Sequence, residues 1–286
     1  MIARSFHFGL LGQDIAYTLS PLIFDRLFAL TASSGSFSVH DVPPDRLSSE
    51  IRRLRELDGF SVTIPYKERI INHLDGLVGD AKKIGAVNSV SVMKGRLMGY
   101  NTDLPGFAHP LASLSLTPRR ILMLGHGGSA RAVCAALVLT YPQAAISVCG
   151  RDGDRARSFV DAISQGFDAG VSLKPMTFEA ILDDDHFEMI VNCTPMGSLA
   201  SVEKSPLPAA FRFESCQVCY DLVYRPRPTL LLKQAAKHGC RTIDGLPMLV
   251  VQAMESFSLW TGMKFDKTAT AQSVIDSLEK YLESPT

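Results

Sequence analysis

The sequence carries no excess charge of either sign: 29 Lys and Arg stand against 29 Asp and Glu in 286 residues. Without a basic field there is nothing to hold a phosphate backbone, so no nucleic-acid partner is expected. Long apolar runs are missing too. Stretches such as "AVCAALVL" fall far short of the roughly 20 residues that cross a bilayer, and no membrane partner is expected. The N-terminal stretch "MIARSFHFGLLGQDIAYTLSP" has one early arginine and a short apolar patch broken by Gly and Gln. It lacks a long apolar core followed by a small-residue cleavage site, so no signal peptide is expected, and a soluble cytoplasmic protein is. Cysteine is sparse, at six residues, and its one close pair is Cys216 and Cys219 in "ESCQVCYDLVY". No second Cys or His pair stands at finger or ribbon spacing, which leaves reduced core thiols and no metal site. No repeat, heptad or low-complexity linker appears, so oligomeric state is not readable.

What is present is core material, with 46% hydrophobic residues, arranged as alternating strands and helices. "FHFGLLG", "SFSVHDV" and "GFSVTI" read as strands, "SPLIFDRLFALTA" and "DRLSSEIRRLREL" as helices, and a helical turn is expected from Pro65. "AVNSVSVMKGRLMGYN" predicts a hairpin turning at Lys94-Gly95, because β-branched residues flank a glycine. After the helix-like "DLPGFAHPLASL" come "RRILMLG", "AISVCGR", "MIVNCT", "VCYDLVY" and "TIDG", apolar strands separated by helices or loops. Strands buried on both faces indicate a doubly wound parallel sheet. "MLVVQAMESFSLWTG" and "TATAQSVIDSLEKYLE" close the chain as helices. The fold class is α/β throughout.

"ILMLGHGGSARA" sets Gly125, Gly127 and Gly128 between a strand and a helix, followed by Ser129 and Ala130. The pattern is G-x-G-G-x-A. Gly125 permits the tight turn, Gly127 lets backbone approach a pyrophosphate, and Ala130 lets helix and strand pack closely. A dinucleotide is favoured, its pyrophosphate facing the helix N-terminus. At the end of the next strand, "SVCGRDGDRAR" offers both signs. Arg151 and Arg155 suit the 2′-phosphate of NADP, whereas Asp152 repels it and can bond the 2′-hydroxyl of NAD. Asp152 also reads as the N-cap of a charged helix start. The balance tilts narrowly to NAD, with NADP open.

Elsewhere, polar residues stand in apolar or turn contexts: Thr18 and Ser20 in "YTLSP", Thr63 and Lys67 in "SVTIPYK", Asn88 in "GAVNS", Asn101 and Asp103 in "GYNTD", and Gln252 in "GLPMLVVQA". Each has a plainer reading. Asn88 and Asn101 suit turns, Ser20 before Pro21 suits an N-cap, Thr63 suits a strand and Lys67 a solvated surface. Taken in order along nearly the whole chain, however, they resemble the shikimate dehydrogenase family.

The resemblance implies an N-terminal α/β substrate domain over 1–103 and 248–286, the final helices returning to it, and an NAD(P)-binding Rossmann domain over 104–247. It implies hydride transfer between a nicotinamide and ring C3 of shikimate/3-dehydroshikimate or a close analogue. Lys67 and Asp103 match the catalytic pair, and Thr18, Ser20, Thr63, Asn88, Tyr224 and Gln252 match substrate contacts. Thr194 and Met196 in "NCTPMG", and Gly245 and Met248 in "GLPM", match stretches that flank the nicotinamide. A lysine beside a reacting oxygen can shuttle its proton while a carboxylate orients the lysine. Three departures stand out: Thr18-Leu19-Ser20 where serine-x-serine is usual, Ser61 where asparagine is usual, and Gly150-Arg151-Asp152 where Asn-Arg-Thr is usual. They point to a paralogue acting on shikimate, quinate or a related ring acid. An NAD-linked quinate-type dehydrogenase and a catalytically silent ligand-binding protein are the alternatives. Retention of both Lys67 and Asp103 speaks against the silent one.

Overall fold

The computed structural model describes residues 4–167, 172–183, 186–213 and 216–283. The chain divides into two compact units, Met1–Gly106 with Leu249–Thr286, and Phe107–Met248.

The first unit opens with β1 (Ser5–Gly12), α1 (Ser20–Leu30), β2 (Ser34–Asp41), α2 (Leu47–Leu54), β3 (Gly59–Val62), β4 (Gly76–Leu77) and α3 (Ala81–Ile84). The hairpin β5 (Ser89–Met93) and β6 (Arg96–Tyr100) follows, then α4 (Asp103–Leu111). Its sheet runs β2-β1-β3-β5-β6-β4. β1 is parallel to both β2 and β3, whereas β5 is antiparallel to β3 and β6. The hairpin turns where the sequence places it. Lys94 and Gly95 have φ of 52° and 76°, the paired left-handed conformation that a tight two-residue turn needs. Alternation along the strands splits the core in two. Leu11, Phe60, Val62, Val90 and Leu97 pack with Ile51 and Leu54 of α2. On the other face Phe8 meets the rings of Phe24, Phe28, Phe257 and Trp260 within 4.8–5.8 Å.

The second unit contains β7 (Arg120–Leu124), α5 (Gly128–Thr140), β8 (Ala145–Cys149), α6 (Gly153–Gly166), β9 (Ser172–Met176), α7 (Phe178–Asp183), β10 (Met189–Asn192), β11 (Val218–Asp221), α8 (Leu230–Lys237) and β12 (Arg241–Ile243). All pairs are parallel, in the order β12-β11-β10-β7-β8-β9. This is the doubly wound order, and its direction of travel reverses between β7 and β10. The central strands β7, β10 and β11 are almost wholly buried, which accounts for their unbroken apolar character. The edge strand β9, "SLKPM", is not legible from the sequence: it alternates in exposure, and its proline is tolerated only because one side needs no partner.

The last helices are α9 (Leu246–Thr261) and α10 (Lys267–Glu283). From Leu249 the chain belongs again to the first unit, where the ring of Trp260 covers Gly59 so closely that a Cβ there would fall 2.5 Å from it. Among the described residues no helix is long and apolar enough to cross a membrane. All six cysteines are free thiols. Burial pushes every one of them up, Cys134 and Cys149 to about 12, so they behave as small apolar side chains.

Candidate active site

The first unit carries an ion pair on a rigid arm. After β3 the chain does not start a helix at Pro65. It makes a β-turn closed by Tyr66 N–H to the Thr63 carbonyl at 2.8 Å, and only later a 3-10 turn over Arg69–His73. Tyr66 is fully buried and its hydroxyl donates to the Val42 carbonyl. Immediately beyond, the Lys67 carbonyl accepts Val87 N–H at 2.7 Å. With the backbone held on both sides, Lys67 Nζ donates to Asp103 Oδ2 at 2.6 Å, and the side chains are only 12% and 5% exposed. That is not a solvated surface cation. A polar side chain this deeply placed needs a partner, and each of the two supplies the other's.

Asn88, at the mouth of the hairpin, fixes the carboxylate. Its Oδ1 accepts Thr102 N–H at 2.6 Å, while its Nδ2 donates to Asp103 Oδ1 and Thr102 Oγ1, both at 2.9 Å. A longer contact of 3.3 Å reaches Gln252 Oε1. Asp103 thus has one oxygen on Asn88 and one on Lys67. Gln252 and Ser256 lie four residues apart, on one face of α9, and Ser256 shares a hydroxyl contact of 3.1 Å with Thr102. Thr102 and Ser256 are members of this network that sequence reasoning did not pick out. Asn101 is a helix cap rather than a turn residue: its Oδ1 accepts Leu104 N–H at the start of α4, and its Nδ2 donates to the Ala86 carbonyl at 2.9 Å.

Ser20 is not an N-cap. The cap position is Leu19, with no side-chain bond, and the buried Ser20 hydroxyl instead accepts from Thr18 Oγ1 at 3.0 Å. Pro21 supplies the helix start, so the serine is released from that task. Thr63 is half-buried, its methyl over Gly12. Ser61, the departure within β3, faces Ser89 across the ladder, and the Ser89 hydroxyl is buried with no partner. Tyr224 belongs to the second unit, half-buried just past β11.

In the second unit Gly125 ends β7 with φ of 101°, a conformation that only glycine adopts readily. A Cβ there would stand 3.0 Å from Thr194 Cγ2, whereas one on Gly127 would meet nothing within 4 Å. Gly127 is the N-cap of α5 and offers no side-chain cap to the first-turn N–H groups of Gly128, Ser129 and Ala130. Open space before a helix N-terminus fits the backbone cradle of a pyrophosphate. Gly125 and Thr194 stand at the ends of β7 and β10, where the strand order reverses, and Cys193 N–H bonds the Leu124 carbonyl there at 2.8 Å. This is the point at which open parallel sheets take ligands. Ala130 is fully buried, as close helix packing requires.

At the end of β8, Asp152 is the N-cap of α6. Its Oδ1 accepts Arg155 N–H at 3.0 Å and its Oδ2 lies 3.3 Å from Arg155 Nε. Arg151 is exposed. Gly245 is required by backbone packing, since a Cβ would fall 1.9 Å from the Leu222 carbonyl oxygen, and Met248 is buried.

A second network, unforeseen, shapes the "NCTPMG" loop. Asn192 Oδ1 accepts from both Thr194 N–H and Thr194 Oγ1, at 2.9 and 2.7 Å, and Met196 N–H donates to Thr194 Oγ1 at 3.2 Å. Asn192 Nδ2 donates at 2.8 Å to Asp221 Oδ1, which also accepts Val223 N–H. Asp221 Oδ2 accepts the Thr229 hydroxyl at 2.7 Å, and Thr229 caps α8. Burial raises the Asp221 carboxyl to about 6, against the lowering effect of these three donors. The signal for this network in the sequence is a polar residue closing each of two apolar strands.

Comparison with known proteins finds relatives over most of the chain. The model of the shikimate dehydrogenase substrate binding domain matches residues 10–90, and that of the shikimate 5′-dehydrogenase C-terminal domain matches 245–275. The shikimate dehydrogenase (NADP(+)) of Caldanaerobacter subterraneus subsp. tengcongensis is 36% identical, over 91% of this chain and 93% of that protein. The shikimate 5-dehydrogenase of Thermus thermophilus, solved with NADP(H) and shikimate, is similar with a TM-score of 0.81 and 33% identity, covering 95% of this chain and 99% of that one. The quinate dehydrogenase of Corynebacterium glutamicum, solved with NAD, also scores 0.81, at 27% identity and with the same coverage. At this identity and coverage the chain belongs to the shikimate dehydrogenase family.

Proposed function

We propose that this protein is a nicotinamide-dependent oxidoreductase that interconverts shikimate and 3-dehydroshikimate at ring C3, with NADP(H) as its main cofactor. The observation that carries the reading is the Lys67–Asp103 pair, 2.6 Å apart and almost buried, with its carboxylate locked by Asn88. Oxidising a ring alcohol to a ketone removes one hydride and one proton. The nicotinamide, when bound, accepts the hydride and returns it in the reverse direction. Lys67 Nζ takes the hydroxyl proton during oxidation and gives it back during reduction. Asp103 holds Nζ in place, and Asn88 keeps Asp103 from rotating away. A protein that only binds its ligand has no use for such a pair.

The first unit is the substrate side. Thr18, Ser20 and Thr63 offer hydroxyls, and Asn88 and Gln252 amides, to the ring carboxylate and hydroxyls. The second unit is the cofactor side: Gly125 through Ala130 meet the pyrophosphate, Arg151 and Arg155 the adenine ribose, and Thr194, Met196, Gly245 and Met248 the nicotinamide. Tyr224 is a further proposed substrate contact. NADP is preferred because Asp152, the residue that would bond a free 2′-hydroxyl, is engaged as a helix cap. A quinate-type enzyme using NAD is the second reading, favoured by the similarity to the quinate dehydrogenase solved with NAD.

Steady-state assays of shikimate and quinate, each with NADP+ and NAD+, separate these readings through the absorbance of the reduced nicotinamide. Turnover of shikimate with NADP+ is expected to dominate. Dominant turnover of quinate with NAD+ selects the second reading. Measurable cofactor binding with no turnover in any combination refutes both.

A further inference from the structure

The glycine turn after β7 carries one large side chain, His126, that the proton chemistry does not use. Its ring lies directly over Gly150, the residue that follows β8. A Cβ on Gly150 would fall 2.4 Å from His126 Cδ2 and 2.7 Å from Nε2. Any side chain at position 150 would therefore push the imidazole away. φ at Gly150 lies outside the left-handed region, so backbone conformation does not demand this glycine. What it provides is room for the ring. In a doubly wound fold, the gap between the glycine turn and the end of the second strand receives the ribose next to the adenine. Arg151 follows Gly150, is exposed, and makes no ion pair among the described residues. Asp152 has both carboxylate oxygens turned to Arg155.

We infer that His126 is a specificity-determining residue for the adenine ribose, its imidazole N–H donating to the 2′-phosphate of NADP beside Arg151. The inference rests on the reading of the second unit as the NADP-binding one. Imidazole presents at least one N–H in every protonation state. The 2′-hydroxyl of NAD carries no charge, so the bond is worth more to NADP than to NAD. The His126–Gly150 contact is thus a paired feature: the small residue exists to seat the large one.

Isothermal titration calorimetry of NADP+ and of NAD+ into the intact protein tests this without recourse to turnover. His126→Ala is expected to weaken NADP+ by about tenfold or more, the factor carried by one hydrogen bond to a charged group, and to leave NAD+ within about twofold. Gly150→Ala keeps the imidazole but displaces it, and is expected to lower the NADP+ to NAD+ preference in the same direction. His126→Asn retains an N–H donor and is expected to recover part of the loss. Unchanged NAD+ affinity shows that each variant has folded. The inference is overturned if His126→Ala and Gly150→Ala both keep the wild-type ratio of the two affinities, or if wild type binds NAD+ as tightly as NADP+. If wild type binds neither dinucleotide, the cofactor reading itself fails and takes this inference with it.

Discussion

Asp221 offers the sharpest quantitative test, because its cost develops within one pH window. The carboxyl is fully buried, and burial lifts it from an ordinary 3.8 to about 6 in the folded chain. The sign follows from which state holds the proton. Between these two values the folded chain keeps a proton that the unfolded chain has released, so stability falls as pH rises through the window and is level above it. At about 1.4 kcal/mol per pH unit, the penalty reaches about 3 kcal/mol at neutral pH, with about half of it present near pH 5. Asp221→Asn removes the ionisation while keeping an oxygen to accept from Asn192 Nδ2 and Val223 N–H. Its stability relative to wild type at a single pH mixes several effects, but the change in that difference with pH belongs to Asp221. Thermal unfolding followed by circular dichroism should show the variant gaining on wild type by about 3 °C between roughly pH 5 and 7.5, at about 2 °C per kcal/mol for a chain of this size. A difference independent of pH, or a carboxyl carbon resonance of Asp221 that titrates below about 4, would refute the reasoning.

Lys67→Ala should lower kcat by about 10²–10⁴-fold, the range for removing a positioned proton-transfer group, with the shikimate dissociation constant changed only a few-fold; near-normal kcat removes Lys67 from the chemistry. Asn88→Ala strands Asp103 Oδ1 and the Thr102 N–H in a buried setting, so chemical denaturation should show a loss of about 2–4 kcal/mol together with a fall in kcat. Gly125→Ala forces a Cβ into φ of 101° and to 3.0 Å from Thr194. It should destabilise the protein by about 1–3 kcal/mol, and NADP+ binding measured by calorimetry should weaken with it. An alanine variant with wild-type stability and affinity would show that the turn is not the cofactor's seat.

How far the sequence discloses this structure depends on the range over which each feature is determined. Helices, buried strands and the Lys94–Gly95 turn are set within a few residues, by periodicity and by backbone conformations that few side chains accept. They are legible. β9 is not, because an edge strand is held from one side only and so tolerates lysine and proline in a run that reads as a loop. Ser20 misleads for a related reason. Local chemistry makes it a good cap, and only the structure shows Thr18 claiming its hydroxyl instead.

The site is split in the same way. Its residue types could be found from motifs, yet the pairings lie far apart in sequence: 36 positions separate Lys67 from Asp103, and 164 separate Asn88 from Gln252. Asn192 and Asp221 show why such pairs escape a linear reading. Each is a short polar residue closing an apolar strand, the commonest signature of an ordinary turn. What separates them from turn residues is that β10 and β11 are parallel neighbours in register, Asn192 opposite Asp221. Both strands therefore deliver a polar side chain to the same edge of the sheet, where no water competes and each must satisfy the other. The β10 loop inherits its shape from that exchange. On the proposed reading of this loop as one that flanks the nicotinamide, the geometry it offers is set by a carboxylate in the neighbouring strand.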